Sequence, residues 1–432
     1  MSAPQWQGGA SPIAQVQTYT MSGTWEVGDI IKITIGSKSW SYSVTSTVIA
    51  TFLPLLATAY NDLSSSDYPE FAEMTASSTA TTFVLTGDTT GKPFIATLIS
   101  TESNGAVPDG QLIDGIATAT TGVATTAATG PNHWSNAQNW STGVVPVAAD
   151  DPVINGGPSI LYDIDQNTVT LTSLTIGVNF PSTSVIGLTA NTNPQNPTSG
   201  YPQYRQQRLK IGATTVNIET TSPLVRLDLS PASTTVTVLG TGSPQIATDD
   251  SLDLKLAATA NVYILKGKVG INALPGDTGT VAILNIAYRT SQTSDCQVRG
   301  GTGLTATTVK QSGGTLYLQN GCTTYTNQGG VLTVSAGAIT TITNQIGTIY
   351  YDGTGTITTL NNLGTFLRRG YRTATVTNTN IYAGSITSDR NGTLTFSNAM
   401  TLVQCRLAEG PQDQGKDVAW VTLGTNRTLA QA

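Results

Sequence analysis

Charge is scarce in this chain. Among 432 residues, 11% are charged and 6% aromatic, there is one histidine, and the three cysteines, Cys296, Cys322 and Cys405, stand far apart with no CxxC pair. Each scarcity excludes something. The few Lys and Arg are scattered rather than clustered and the formal charge is −6, which argues against a nucleic-acid partner, because phosphate binding needs grouped cations. One histidine, His133, leaves no histidine metal cluster and no paired nucleophile arrangement. Isolated cysteines are expected to be buried free thiols. No stretch approaches the roughly 20 apolar residues of a membrane span, and MSAPQWQGGASPIAQ lacks the basic start and apolar run of a secretory signal. The expected route out of a cell is therefore lysis or another path without a cleaved signal.

What is abundant is Thr, Gly, Asn and Ser, the composition of many short strands joined by tight turns. The expected fold class is mainly β: a small α+β N-terminal module followed by a parallel β-solenoid of about 17 residues per coil. The length favours two or three units. The boundaries expected are a docking module over 1–104, an Ala/Thr/Gly-rich linker over 105–130, a solenoid over 131–400 and a C-terminal cap or docking segment over 401–432.

In the module, alternation predicts strands at Val16 to Met21, Ile30 to Ile35, and Trp40, Tyr42 and Val44, with turns at Gly28–Asp29 and Gly36–Ser37. Helical spacing of Val48, Phe52, Leu55, Leu56, Ala59 and Tyr60 predicts a helix, capped by Ser46 or Thr47 and starting near Thr51 with Pro54 in its first turn. Strands near Glu73 to Ala76, Thr82 to Leu85 and Pro93 to Ile99 follow. The order ITIGSKSWSYSV, helix, EMTASSTATTFVLTGDTTGKPFIATL resembles a small ββαββ module that recurs in bacteriophage tail and other virion structural proteins. The matching residues are Val27 to Asp29, Ile33 to Gly36, Trp40 to Ser43, Thr82 to Gly87 and Gly91 to Phe94, about a fifth of the chain. Ile35, Gly36 and Ser37 replace the family's usual "ING" turn. The resemblance implies a virion context: other virion proteins of capsid or tail as partners, self-association such as a homotrimer, and host surface glycan as a further contact.

PNHWSNAQNWSTGVVPVAADDPVI carries Trp134, Asn139, Trp140, Gly143, Pro146, Asp150 and Asp151, a pattern similar to the start of β-helical regions in bacterial surface and autotransporter-like proteins. That resemblance implies a solenoid cap at Trp134, Trp140 and Pro146, because an uncovered solenoid end exposes core and sheet edge. A sugar-stacking platform is the other reading of the two tryptophans.

The internal repeat is the strongest pattern. Asn327, Asn344, Asn361 and Asn378 fall 17 residues apart, and Gly330, Gly347 and Gly364 follow the same period, each opening an alternating strand. Each coil then holds two strands, and the aligned asparagines are expected to form a structural ladder. The segment Phe180 to Gln207, rich in Pro, Asn and Tyr, reads as an excursion from the solenoid where partner contacts are expected.

Glycan cleavage would need a carboxylate pair. The candidates are Asp150 with Asp151, Asp163 with Asp165, Asp228, and Asp249 with Asp250, and of the pairs only 163 and 165 would share a strand face. Solvated turn carboxylates or a Ca²⁺ site are the other readings of these residues. No catalytic residue, cofactor or metal ligand is assigned. The expectation is a non-enzymatic virion structural protein, tail fibre or capsid decoration. The alternatives are a polysaccharide-degrading tailspike and a bacterial surface adhesin.

Overall fold

The structure is a computed structural model, and it describes residues 3–103, 111–113, 120–121, 123–189, 201–244, 249–257, 259–287, 296–369, 373–388, 393–398 and 400–402. The chain is mainly β, with a long parallel β-solenoid and a smaller α+β unit.

Val153–Ile154 pairs with Asp165–Ile176 and that strand with Leu209–Glu219; from Leu209–Glu219 to Thr373–Ile381 each coil contributes two strands, so that each strand pairs with the one two places further along the chain. One face runs through Leu209–Glu219, Ser233–Gly240, Ala260–Ile264, Gly279–Ile286, Leu304–Gln311, Cys322–Asn327, Ile339–Asn344, Ile357–Asn362 and Thr373–Ile381. The second face runs from Val225–Asp228 through Leu252–Lys255, Gly267–Ile271, Cys296–Gly300, Thr315–Leu318, Val331–Val334, Thr348–Tyr351 and Thr365–Arg368 to Ser385–Ser388. All these pairings are parallel. The inward positions are filled by residues such as Val309, Tyr325, Ile342 and Leu360 from one face and Leu316, Leu332, Ile349 and Phe366 from the other, all 0% exposed. Burial of such apolar side chains between two sheets is worth about 1.5–3 kcal/mol each and holds together coils whose second-face strands are only 4–5 residues long. Coil length varies: Thr308 pairs with Thr324, Thr324 with Thr341, Thr341 with Thr359 and Thr359 with Asn378. The turns absorb the difference while the strand pattern is kept.

The α+β unit has two antiparallel sheets. Val16–Gly23 pairs with Thr82–Gly87, which pairs with Met74–Ser78. Ile30–Ile35 lies between Lys38–Ser43 and Ala96–Thr101. The helix, Ile49–Asn61, buries Phe52, Leu53, Leu56, Ala57 and Tyr60 against a core that includes Trp25, Ile33, Phe71 and Phe83. It begins two residues earlier than the sequence suggests, with Val48 as N-cap and no side-chain cap, so Pro54 lies inside the helix and not in its first turn. Pro54 is exposed, so its ring points away from the core.

The stretch 105–130 does not behave as a free connector where it is described. Gln111–Ile113 and Val123–Thr126 pair with Val16–Gly23, and Thr120–Thr121 pairs with Ala96–Thr101. Threonine-rich segments of low bulk add strands at sheet edges where no large side chain is required. Residues 4–10 also fall outside the module expected over 1–104, because they pack on the solenoid end. The α+β unit is thus an insertion: the chain leaves the solenoid at Ile13 and returns at Thr129, and these two residues form an antiparallel bridge. Cys405 and the segment after Leu402 lie outside the described residues.

Candidate functional site

The repeat builds a buried amide ladder. Its rungs are Gln311, Asn327, Asn344 and Asn362, each 0% exposed and each paired in register with the next. Gln311 Nε2 donates to the carbonyls of Gly314 and Val331, and Tyr325 donates to Gln311 Oε1 at 2.6 Å. Asn344 Nδ2 donates to Asn362 Oδ1 at 2.8 Å and to the Thr365 carbonyl at 3.1 Å. Asn327 Nδ2 and Asn344 Oδ1 have no partner. They are a donor and an acceptor on adjacent rungs, and the direction of the Asn344–Asn362 bond is the one that would join them.

Asn361 and Asn378 are not rungs. The turn 352–356 has one residue more than its counterpart 335–338, so Ile339 pairs with Ile357 and Asn344 with Asn362. A one-residue change reverses which side chain faces inward. Asn361 therefore faces outward and accepts from Asn380 Nδ2 at 2.8 Å, while Asn378 pairs with Thr359 and accepts from Asn398. Aligning the apolar residues Ile339 and Ile342 with Ile357 and Leu360 would have found this shift; matching asparagines alone did not. Gly330, Gly347 and Gly364 directly precede the strands Val331–Val334, Thr348–Tyr351 and Thr365–Arg368. Gly330 has φ 91°, and a Cβ on Gly347 would lie 2.1 Å from Asn327 Nδ2, so the glycine lets one turn sit directly on the amide below it.

The N-terminal end is closed by three tryptophans. Trp134 and Trp140 are 0% and 2% exposed, with ring centroids 4.8 Å apart at 73°, and Trp140 Nε1 donates to the Trp134 carbonyl. Trp6, absent from the sequence reading, packs edge-on against Trp140 at 5.2 Å. Residues 4–8 reach it through isolated β-bridges of Gln5 to Val153 and Trp6 to Trp140, with Trp6 N–H donating to the Val153 carbonyl and Val153 N–H donating to the Pro4 carbonyl. Asn139, 0% exposed, ties the segment down by accepting from Ala10 N–H and donating to the carbonyls of Gly130 and His133. Pro146 is buried. With both rings enclosed, a sugar-stacking platform has no accessible face.

A second cluster joins the inserted unit to the solenoid. Glu73, 7% exposed, accepts from Lys92, Tyr201 and Arg205 and, at 3.1 Å, from Tyr204. The Arg205 guanidinium lies 4.4 Å from the Tyr204 ring centre and also donates to the Pro93 carbonyl. Burial alone would raise the Glu73 pKa, but Arg205 and Lys92 outweigh it and hold the carboxyl below its ordinary value. The excursion from the solenoid thus has the chain's own module as partner over its described residues. The Pro, Asn and Tyr content of Phe180 to Gln207 marked the segment as an excursion, but nothing local pointed to Arg205 or to Glu73. His133 adds a further link. Its Nδ1 lies 2.8 Å from Asp163 Oδ2 and its Nε2 2.8 Å from the Gly91 carbonyl oxygen. Both ring nitrogens thus face an oxygen, one on the solenoid and one in the inserted unit.

The acidic candidates are dispersed. Asp163 sits in a left-handed turn with φ 54°, so the strand alternation that would align it with Asp165 does not apply. It faces His133, while Asp165 lies 3.9 Å from Lys210. Asp150 and Asp151 accept from Val147 N–H and Ser173. Asp228 is paired with Lys255 and Asp250 with Arg299. Arg208 bridges Asp253 and Asp277 at 2.7–2.9 Å. Each of these groups braces neighbouring coils or turns. Cys296 and Cys322 are buried free thiols, their pKa values raised by burial to about 11 and about 12.

The outer surface of the first face is regular. One column runs Ser173, Thr215, Thr235, Asn261, Ile283, Thr308, Thr324, Thr341, Thr359, Asn378. Beside it, two residues along each strand, runs a second column of Thr175, Asn217, Thr237, Tyr263, Asn285, Lys310, Thr326, Thr343, Asn361 and Asn380. Rungs repeat at about 4.8 Å, giving a lattice of hydroxyl and amide groups interrupted by one apolar residue, Ile283, and one charge, Lys310.

These features define a parallel two-faced β-solenoid, capped by tryptophan and carrying an α+β insertion. No protein-family model, curated protein or solved structure matches the chain.

Proposed function

We propose that this protein is a non-enzymatic structural component of a bacteriophage virion, a tail fibre or a capsid decoration or head fibre. The α+β unit docks on other virion proteins and the solenoid projects from the particle. The observation that carries this reading is the attachment between the two. The unit is inserted through a single antiparallel bridge between Ile13 and Thr129 and braced by the buried Glu73–Arg205–Tyr201–Tyr204 cluster. A force applied to the docked unit is then borne by two chain crossings and a desolvated ion pair rather than by a flexible linker. The virion-like order of strands and helix supplies the context.

Electron microscopy of native particles, with mass spectrometry to locate the chain, tests this. The expected result is density at a defined, symmetric position with the α+β unit against the particle. A chain absent from particles and recovered as a free monomer would overturn it.

A second reading, recognition of a host surface glycan, is favoured by the outward lattice of Thr and Asn side chains on the first face. Neutral hydroxyl and amide groups suit hydrogen bonding to sugar hydroxyls. Binding of the full chain to arrayed capsular glycans, lost on replacing Thr324 and Thr341 by Val, is the outcome it requires.

A further inference from the structure

Three carboxylates meet at one corner of the α+β unit. Glu26 and Asp29 lie in the turn that leads into Ile30–Ile35, and Glu102 directly follows Ala96–Thr101. The register pairs Ile30 with Thr101, which brings the residue before one strand beside the residue after the other. One ligand oxygen from each of the three lies within 4.8 Å of the other two. Gly28, with φ 101°, allows this approach, since a Cβ there would already be 3.1 Å from Ser103 Cβ. Val44 holds the turn from the other side, accepting from Gly28 N–H at 2.8 Å and donating to the Asp29 carbonyl at 2.7 Å.

The arrangement is incomplete as it stands. Asp29 is 0% exposed. Its Oδ2 accepts the Glu26 N–H at 2.7 Å, but its Oδ1 is buried with no hydrogen-bond partner. A buried, unpaired carboxylate oxygen is costly, and three like charges at this separation repel one another. A single bound cation removes both penalties.

We propose that Glu26, Asp29 and Glu102 form a site for a hard divalent cation, Ca²⁺. All donors are oxygens, which excludes a preference for the softer metals. Two ligands come from one turn and the third from a separate strand end, an irregular set that suits the variable geometry of Ca²⁺ better than the strict octahedron of Mg²⁺. Glu26 is exposed, so water completes the coordination on that side. The ion pins the turn at 26–29 to the strand end at 102, in the corner of the unit that also contains Val44. This inference does not depend on the virion reading.

The test uses Tb³⁺, which occupies Ca²⁺ sites, with the buried Trp25 next to Glu26 as sensitiser. Tryptophan-excited terbium emission from the full chain should saturate and should be displaced by Ca²⁺. Asp29→Asn and Glu102→Gln should each weaken binding about tenfold or more, while Asp67→Asn, exposed elsewhere in the unit, should leave it unchanged. Thermal melting separates a lost ligand from a damaged fold. In EDTA, Asp29→Asn should melt at or above the wild-type temperature because a repelling charge is gone, and Ca²⁺ should stabilise the wild type but not the variant. No saturable emission at millimolar ion, equal binding by both variants and wild type, or an Asp29→Asn protein less stable than wild type in EDTA would each overturn the site.

Discussion

The regular coils from Leu304 to Arg368 and the inserted α+β unit are both built from short strands, yet they are stabilised differently. In the coils the strand residues have equivalents on the coils before and after, so a favourable arrangement is repeated and stability accumulates along the axis. In the inserted unit each contact occurs once: Trp25 on Phe52, Tyr60 on Phe71, Glu73 on Arg205. A repeat tolerates variation in its turns as long as strand parity is kept, as the uneven spacings of Thr324, Thr341, Thr359 and Asn378 demonstrate. A singular core tolerates little, but it can place distant groups together, as at Glu73 with Arg205 and at Asp29 with Glu102.

The end cap is where the repeat is most vulnerable, because its last coil has no next neighbour. Trp140→Ala should cost about 3–5 kcal/mol, read as a lowered urea midpoint, with hydrogen exchange increasing first in the coils nearest Val153–Ile154. An unchanged midpoint would mean that the end is held by the bridged segment at residues 4–8 alone.

Within the coils, Asn344→Ala leaves Asn362 Oδ1 and the Thr365 carbonyl without their donor, at about 1–3 kcal/mol. Asn361→Ala, one residue from a ladder rung but facing outward, should cost at most about 0.5 kcal/mol. Equal effects from the two substitutions would refute the observed register.

At the joint, Glu73→Gln should raise hydrogen exchange at 92–94 and 201–207 while leaving the coils beyond Leu304 protected, with a cost of about 1–3 kcal/mol. The pH dependence has a definite sign. The folded carboxyl titrates below an unfolded glutamate at about 4.3, so its stabilisation is complete above that value and is lost as pH falls through the folded pKa. The joint should therefore loosen in acid, and the Gln variant should show no such change over that range.

The smallest effect belongs to the outer lattice. Thr341→Ser keeps the hydroxyl on the outer face and should change stability by about 0.5 kcal/mol or less, measured by urea unfolding. A larger loss would indicate that the outer column, and not only the interior, holds the coils together.

Much of this architecture is legible in the residues. Alternation of apolar and polar positions defines strands such as Ile30–Ile35 and Ile339–Asn344, and the recurring Gly before an alternating run marks each turn, because both depend on local geometry. The two tryptophans at 134 and 140 point to one end of the solenoid through a resemblance to the start of other β-helical regions, not through local geometry. The period of 17 was also readable, but the rung at Asn362 was not. Which of two adjacent asparagines faces inward is decided by the length of the preceding turn and by the need to keep Ile357 and Leu360 in the core.

What the sequence determined, then, is everything governed by neighbours along the chain: strand, turn, repeat and the position of the helix. Only the tertiary structure decided that Trp6 completes the cap, that Glu73 receives Arg205 from 132 residues away, and that Asp29 comes to lie beside Glu102. These depend on which surfaces the folded chain brings together. A lone tryptophan, a glutamate in a strand lead-in and an aspartate in a turn carry no local signature of a distant partner, since the energy that joins them arises when both are desolvated at once.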